Sequence, residues 1–107
     1  MKKTVIALAA AGLVAFGINA QAMTGEEVYK KACTNCHNAA VAPAMKAPAS
    51  GSNEDWAPRI AKGMDALMQS VMNGMPGTAM PARGACADCT DDDLKAALQY
   101  MVDQASK

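Results

Sequence analysis

The chain has 107 residues, ten Lys and Arg against ten Asp and Glu, a single histidine and 51% hydrophobic residues. That balance excludes the basic face a nucleic-acid binder needs, and the length allows one small domain with a marginal core of its own. With one Trp, one Phe and two Tyr against nine Met, the interior has little to fill it beyond Ala, Leu, Met and a bound group; the Met content also serves as ordinary gap-filling.

Lys2 and Lys3 open the chain, an uncharged apolar run extends from Val5 to Ile18, and Ala20-Gln21-Ala22 offers the small residues of a signal-peptidase site. Residues 1–22 therefore read as a cleaved signal peptide, the run being shorter than the roughly 20 residues that span a bilayer. The expected mature domain is 23–107. Losing Lys2 and Lys3 takes the ten basic residues to eight against ten acidic ones, a mildly acidic exported protein.

Thr24 and Glu27 form a T-x-x-E capping box, and Val28, Tyr29, Ala32 and Cys33 share one face of the helix it starts. That helix leads into Cys33-Thr34-Asn35-Cys36-His37. C-x-x-C-H is the attachment signature of a c-type haem, and His37, the one histidine, falls where the motif needs it. Cysteines three apart on one helical turn reach both vinyl groups of one porphyrin, and the next residue turns its imidazole beneath the plane. Taken alone, C-x-x-C would also suit a metal or redox pair; export supports haem, which is attached outside the bacterial inner membrane.

From Asn38 to Asn53 the sequence is rich in Ala, Pro, Gly and Ser without helical period, and reads as a loop on the proximal side. A ligating histidine gives its second ring N–H to a fixed acceptor; the carbonyl of Pro48 is the candidate and that of Pro43 the competitor. A helix is expected over Glu54–Lys62, Pro58 being tolerable only if the helix begins close to Glu54 or Asp55. Trp56 and Ile60 face one way, toward core or haem edge. Arg59 suits a haem propionate or a solvated surface equally well.

Met64, Leu67, Met68, Val71 and Met72 keep a helical period closed by Asn73-Gly74. This Met stripe reads as core. Met75-Pro76-Gly77-Thr78-Ala79-Met80-Pro81 is non-helical. An iron held by His37 on one face needs a second ligand, and with no other histidine methionine sulfur is the natural one. Met45 lies too near the proximal loop. Met75 and Met80, each before a proline that keeps it extended, both remain open on spacing alone.

Cys86-Ala87-Asp88-Cys89 is a second C-x-x-C, and in an exported chain two such thiols favour a disulfide. Joining all four cysteines around zinc would need pairs about fifty residues apart, far beyond ribbon spacing. Thr90 caps a final helix that opens Asp91-Asp92-Asp93, suited to the helix dipole. Its buried face is Leu94, Ala97, Leu98, Met101 and Val102, with Tyr100 at the core edge.

These residues together resemble the class I bacterial monohaem cytochromes c, cytochrome c5 type: Cys33 to His37, Ala47-Pro48, Trp56-Ala57-Pro58-Arg59-Ile60-Ala61-Lys62-Gly63, Ala79-Met80-Pro81, and Cys86 to Cys89 succeeded by Leu94-Lys95-Ala96-Ala97 and Tyr100-Met101. The resemblance covers nearly all of 23–107. It implies an all-α fold of about four helices around one covalent haem c on Cys33 and Cys36, crossing terminal helices, axial His37 and Met80, and a Cys86–Cys89 disulfide. The stretch from Asn38 to Lys46 is longer than the pattern. The function implied is a periplasmic one-electron carrier, not an enzyme, monomeric or weakly dimeric, with no small-molecule substrate, serving terminal oxidases, quinol-oxidising complexes or haem peroxidases. The rival reading is a haem protein with an open distal site for gas or peroxide.

Overall fold

The computed structural model describes residues 23–107; the signal-peptide reading of 1–22 lies outside them. The first helical rod runs through 25–37 as α1 (Gly25–Val28), a π-helical turn (Tyr29–Cys33) and α2 (Thr34–His37). Its capping box forms as expected. The Glu27 N–H donates to Thr24 Oγ1 at 3.1 Å, and the Thr24 N–H to Glu27 Oε1 at 2.8 Å. The π turn, in which the Thr34 N–H reaches back to the Tyr29 carbonyl, has no signature in the composition. A π turn widens the helix so that residues five apart come into line, and Cys33 packs against the clusters of both Tyr29 and Val28.

The last helix, α6 (Asp91–Ala105), is the backbone of the core. Leu94, Ala97, Leu98, Met101, Val102 and Ala105 are buried along it. Its start is a reciprocal pair between Thr90 and Asp93, both bonds 3.0 Å. The rod 25–37 crosses α6 at Gly25. A Cβ there would stand 2.2 Å from the Ala96 carbonyl oxygen, so only glycine permits this approach. One turn further, the rings of Tyr29 and Tyr100 meet at 5.3 Å.

Two apolar clusters share α6. One joins Tyr29, Trp56 and Leu67 to Leu98, Met101, Val102 and Ala105; the other joins Val28, Cys86 and Cys89 to Leu94 and Ala97. Trp56 comes from α4 (Asn53–Ile60) and Leu67 from α5 (Met64–Asn73). Met64, Met68, Val71 and Met72 are half-buried against these clusters, which makes the Met stripe core.

Two expectations need correction. The 38–53 stretch is not wholly a loop: α3 (Ala42–Met45) forms in it, with Pro43 in its first turn and Lys46 ending it in the left-handed conformation, φ 57°. Proline is compatible there because the first N–H groups of a helix have no internal acceptor. α4 begins at Asn53, one residue before the expected Glu54, where Ser52 caps it by accepting the Asp55 N–H at 3.2 Å, and Pro58 lies inside it. α4 also ends at Ile60, and a turn carries the chain to Gly63.

Candidate functional site

Between the 25–37 rod, α4, α5 and α6 lies a cavity of about 640 Å³, lined by Cys36, His37, Met45, Pro48, Trp56, Met80, Leu98 and Met101 among others. A smaller one of about 200 Å³ adjoins it, sharing Cys36, His37, Met80 and Met101 and adding Cys33 and Leu94. Both walls are largely apolar, and the larger volume falls in the range of small-molecule and cofactor sites.

Cys33 and Cys36 are unbonded and half-buried. Burial pushes the Cys33 thiol up to about 11, so near neutrality it is a thiol and not a thiolate. His37 is buried, and its Nδ1 lies 2.8 Å from the Pro48 carbonyl oxygen. A ring N–H donated there leaves Nε2 with its lone pair for a metal. Pro48 is held by its neighbours: the Ser50 N–H donates to the His37 carbonyl at 2.7 Å, Trp56 Nε1 to the Ala49 carbonyl at 3.0 Å, and the Ala49 N–H to Asp55 Oδ2 at 3.1 Å. The Pro43 carbonyl instead receives the Lys46 N–H at the end of α3.

Met80 is half-buried and lines both cavities, whereas Met75 lines only the larger and is 45% exposed. The Met75–Met80 loop is laced together. The Thr78 hydroxyl donates to the Met75 carbonyl at 2.6 Å and accepts the Met80 N–H at 3.2 Å, and the Met75 N–H reaches the Met80 carbonyl at 3.1 Å. Gly74, φ 77°, lets the loop return against α5, where a Cβ would stand 2.7 Å from the Ala82 nitrogen. Met64, Met68 and Met72 line neither cavity. Met45 does line the larger one, on the His37 and Pro48 side of the chain.

Beyond Met80 the chain is pinned by the Cys86–Cys89 disulfide, Cα atoms 5.5 Å apart. Arg83, itself left-handed at φ 58°, donates to the Cys89 carbonyl at 2.8 Å and to Asp91 at 2.9 Å. Lys31 meets Asp88 at 2.7 Å across the surface. With Cys86 and Cys89 bonded to each other, a four-cysteine zinc site has lost half its ligands. Sequence reasoning missed Thr78, Arg83 and Lys46. Thr78 alone carried a signal, a hydroxyl residue in a Gly-containing turn.

The residues present thus fit a haem: a thiol pair, an imidazole oriented by its second nitrogen, a loop methionine and an apolar slot. Residues 20–101 match the family model described as cytochrome C oxidase, cbb3-type, subunit III. The chain is 40% identical to cytochrome c-555 of Chlorobaculum tepidum over 86 residues, 78% of this chain and 77% of that protein. It is also 40% identical to cytochrome c5 of Azotobacter vinelandii over 82 residues, 75% of this chain and 93% of that one. A solved structure, the crystal structure of an electron transfer complex of nitrite reductase with cytochrome c, contains a chain similar at TM-score 0.67 and 42% identity, covering 79% of this chain and 99% of that one.

Proposed function

The chain belongs to the class I monohaem c-type cytochromes of the c5 and c-555 kind and carries one covalent haem c as an electron carrier, and from that premise we propose that it is a periplasmic one-electron carrier with His37 and Met80 as axial ligands. Cys33 and Cys36 are the thioether residues in this reading, and Met80 takes the second axial place in preference to Met75. The haem supplies reversible one-electron chemistry at iron.

The observation that carries the reading is the Nδ1 contact of His37 with Pro48. It supports an imidazole oriented with Nε2 free for a metal, in the wall of the same cavity that Met80 lines. The laced loop between Met75 and Met80 supports a methionine held in place before the iron arrives. With both axial places taken by the protein, no site is left for a substrate, so the protein is a carrier and not an enzyme. Its partners are periplasmic or membrane-bound redox proteins, met through small, transient contacts; the similar chain's complex with nitrite reductase supports partners of this class.

The test is a redox titration of the exported holoprotein. One haem that acid solvent does not extract, and a reversible single-electron transition, are expected; haem lost to acid solvent, or an iron that turns over peroxide, would overturn the proposal.

A further inference from the structure

Asp93 is the one acidic side chain buried among the described residues, 7% exposed. A carboxylate taken out of water needs donors or a cation. One oxygen, Oδ2, accepts the Thr90 N–H at 3.0 Å, a bond made within the start of α6 itself. A second donor comes from outside the helix, because the backbone N–H of Met23 also bonds this carboxylate. Met23 is kept there by its half-buried side chain, which packs against Val28, Cys86, Cys89, Leu94 and Ala97. The next N–H, that of Thr24, is engaged by Glu27 Oε1 at 2.8 Å. Met23 is also the residue that follows Ala20-Gln21-Ala22, read above as the signal-peptidase site. A cleavage pattern and a buried carboxylate far apart in the sequence thus meet at one nitrogen atom.

We propose that removal of residues 1–22 creates an ion pair between the new α-ammonium of Met23 and Asp93, which locks the 25–37 rod to α6. The inference rests on the export and cleavage reading and adds what the cut does to the folded domain. Hydrolysis puts the oxygen of water on the Ala22 carbonyl carbon, which leaves as a carboxylate, while the Met23 nitrogen takes up the protons. A neutral amide with one N–H becomes a charged group with three, and charge-assisted hydrogen bonds are shorter and stronger than neutral ones. Burial of Asp93 spares the pair much of the screening that weakens surface ion pairs. The other charged groups around it are already engaged. Lys31 of the rod, whose charge also reaches Asp93, meets Asp88 at 2.7 Å, and Asp91 meets Arg83 at 2.9 Å. Glu27, held by Thr24, adds negative charge on the ammonium side, and Asp92 is exposed. The uncut precursor has the amide alone, so the helix crossing that carries Cys33, Cys36 and His37 tightens only after export.

The test uses the exported holoprotein, its N-terminus read by intact mass, and a form with one serine inserted between Ala22 and Met23, each with and without Asp93→Asn or Asp92→Asn. Thermal midpoint and the titration of the α-amino group by NMR are followed. The pair predicts an α-amino pKa raised above its ordinary value of about 7.7–8.0, falling back in Asp93→Asn and not in Asp92→Asn. A raised value means stabilisation that is complete below the ordinary value and lost as the pH rises through the raised one. Near neutrality the inserted serine should lower the midpoint of the parent and of Asp92→Asn and leave that of Asp93→Asn in place. An amine at its ordinary value, or an insertion equally costly in all three backgrounds, would overturn the pair. A mature mass beginning at a residue other than Met23 would instead overturn the cleavage reading beneath it.

Discussion

His37 Nδ1 and the Pro48 carbonyl oxygen, eleven residues apart in sequence, lie 2.8 Å from one another. A donor–acceptor contact of that length is a full hydrogen bond. With His37 as the axial ligand proposed above, that bond would strengthen the imidazole as a ligand and so favour the ferric state. Pro48→Gly should loosen the acceptor, raise the midpoint potential and cost about 1 kcal/mol of stability through the freer unfolded chain. Pro43→Gly, whose carbonyl serves α3, should leave the potential in place. Equal shifts in the two variants would remove Pro48 from its role.

Met80→Ala should convert the ferric iron to high spin and let the reduced protein bind carbon monoxide, while Met75→Ala keeps a low-spin spectrum. The contrast rests on the half-buried Met80 lining both cavities and the exposed Met75 lining one. The reverse outcome would assign the iron to Met75.

The Cys86–Cys89 bridge closes a loop with a sequence separation of three. Chain entropy then gives it no more than about 2 kcal/mol, and its role lies in holding the segment after Met80. Replacing both cysteines by serine should lower the thermal midpoint modestly and weaken the far-red band of methionine ligation. A variant with an unaltered band at all temperatures below unfolding would leave the bridge with stability alone.

Asp93 is buried at the start of α6, and the Thr90 N–H it accepts holds its carboxyl below the ordinary carboxylate value. A depressed folded value means stabilisation that is complete above the unfolded pKa of about 3.9 and lost as the pH falls through the lower folded value. Asp93→Asn should be less stable at neutral pH and show a flatter acid limb below about pH 4. Acid unfolding curves of identical shape would contradict this.

Gly25→Ala sets two effects against each other. Alanine gains about 1 kcal/mol in helix propensity, but its Cβ would stand 2.2 Å from the Ala96 carbonyl oxygen, and overpacking of that kind costs about 1–3 kcal/mol. Backbone cannot yield as a side-chain tip does, so the crossing should be destabilised on chemical denaturation. A variant as stable as the parent would show that the two helices separate freely.

The capping box at Thr24, the cap at Thr90, the Met stripe of α5 and the buried face of α6 were legible because each is a local pattern, a cap at fixed offset or an apolar period. C-x-x-C-H was legible because covalent attachment demands one spacing. The π turn at Tyr29–Cys33 was not, since no residue type in that segment marks one. α3 was hidden by Pro43, which reads as a breaker until its place in the first turn is known. The start of α4 at Asn53 rests on Ser52 as its cap, a role the loop-like composition around it did not mark. Spacing left Met75 and Met80 equal; they differ in exposure, Met80 half-buried and Met75 45% exposed, a product of the folded loop.

The most direct measurement is the visible spectrum of the holoprotein, oxidised and reduced, before and after carbon monoxide. The account predicts a low-spin spectrum with a weak far-red ferric band and little response to the gas. A high-spin spectrum that shifts at once on exposure would mean an open iron, contradicting His37 and Met80 ligation and the carrier function built on it.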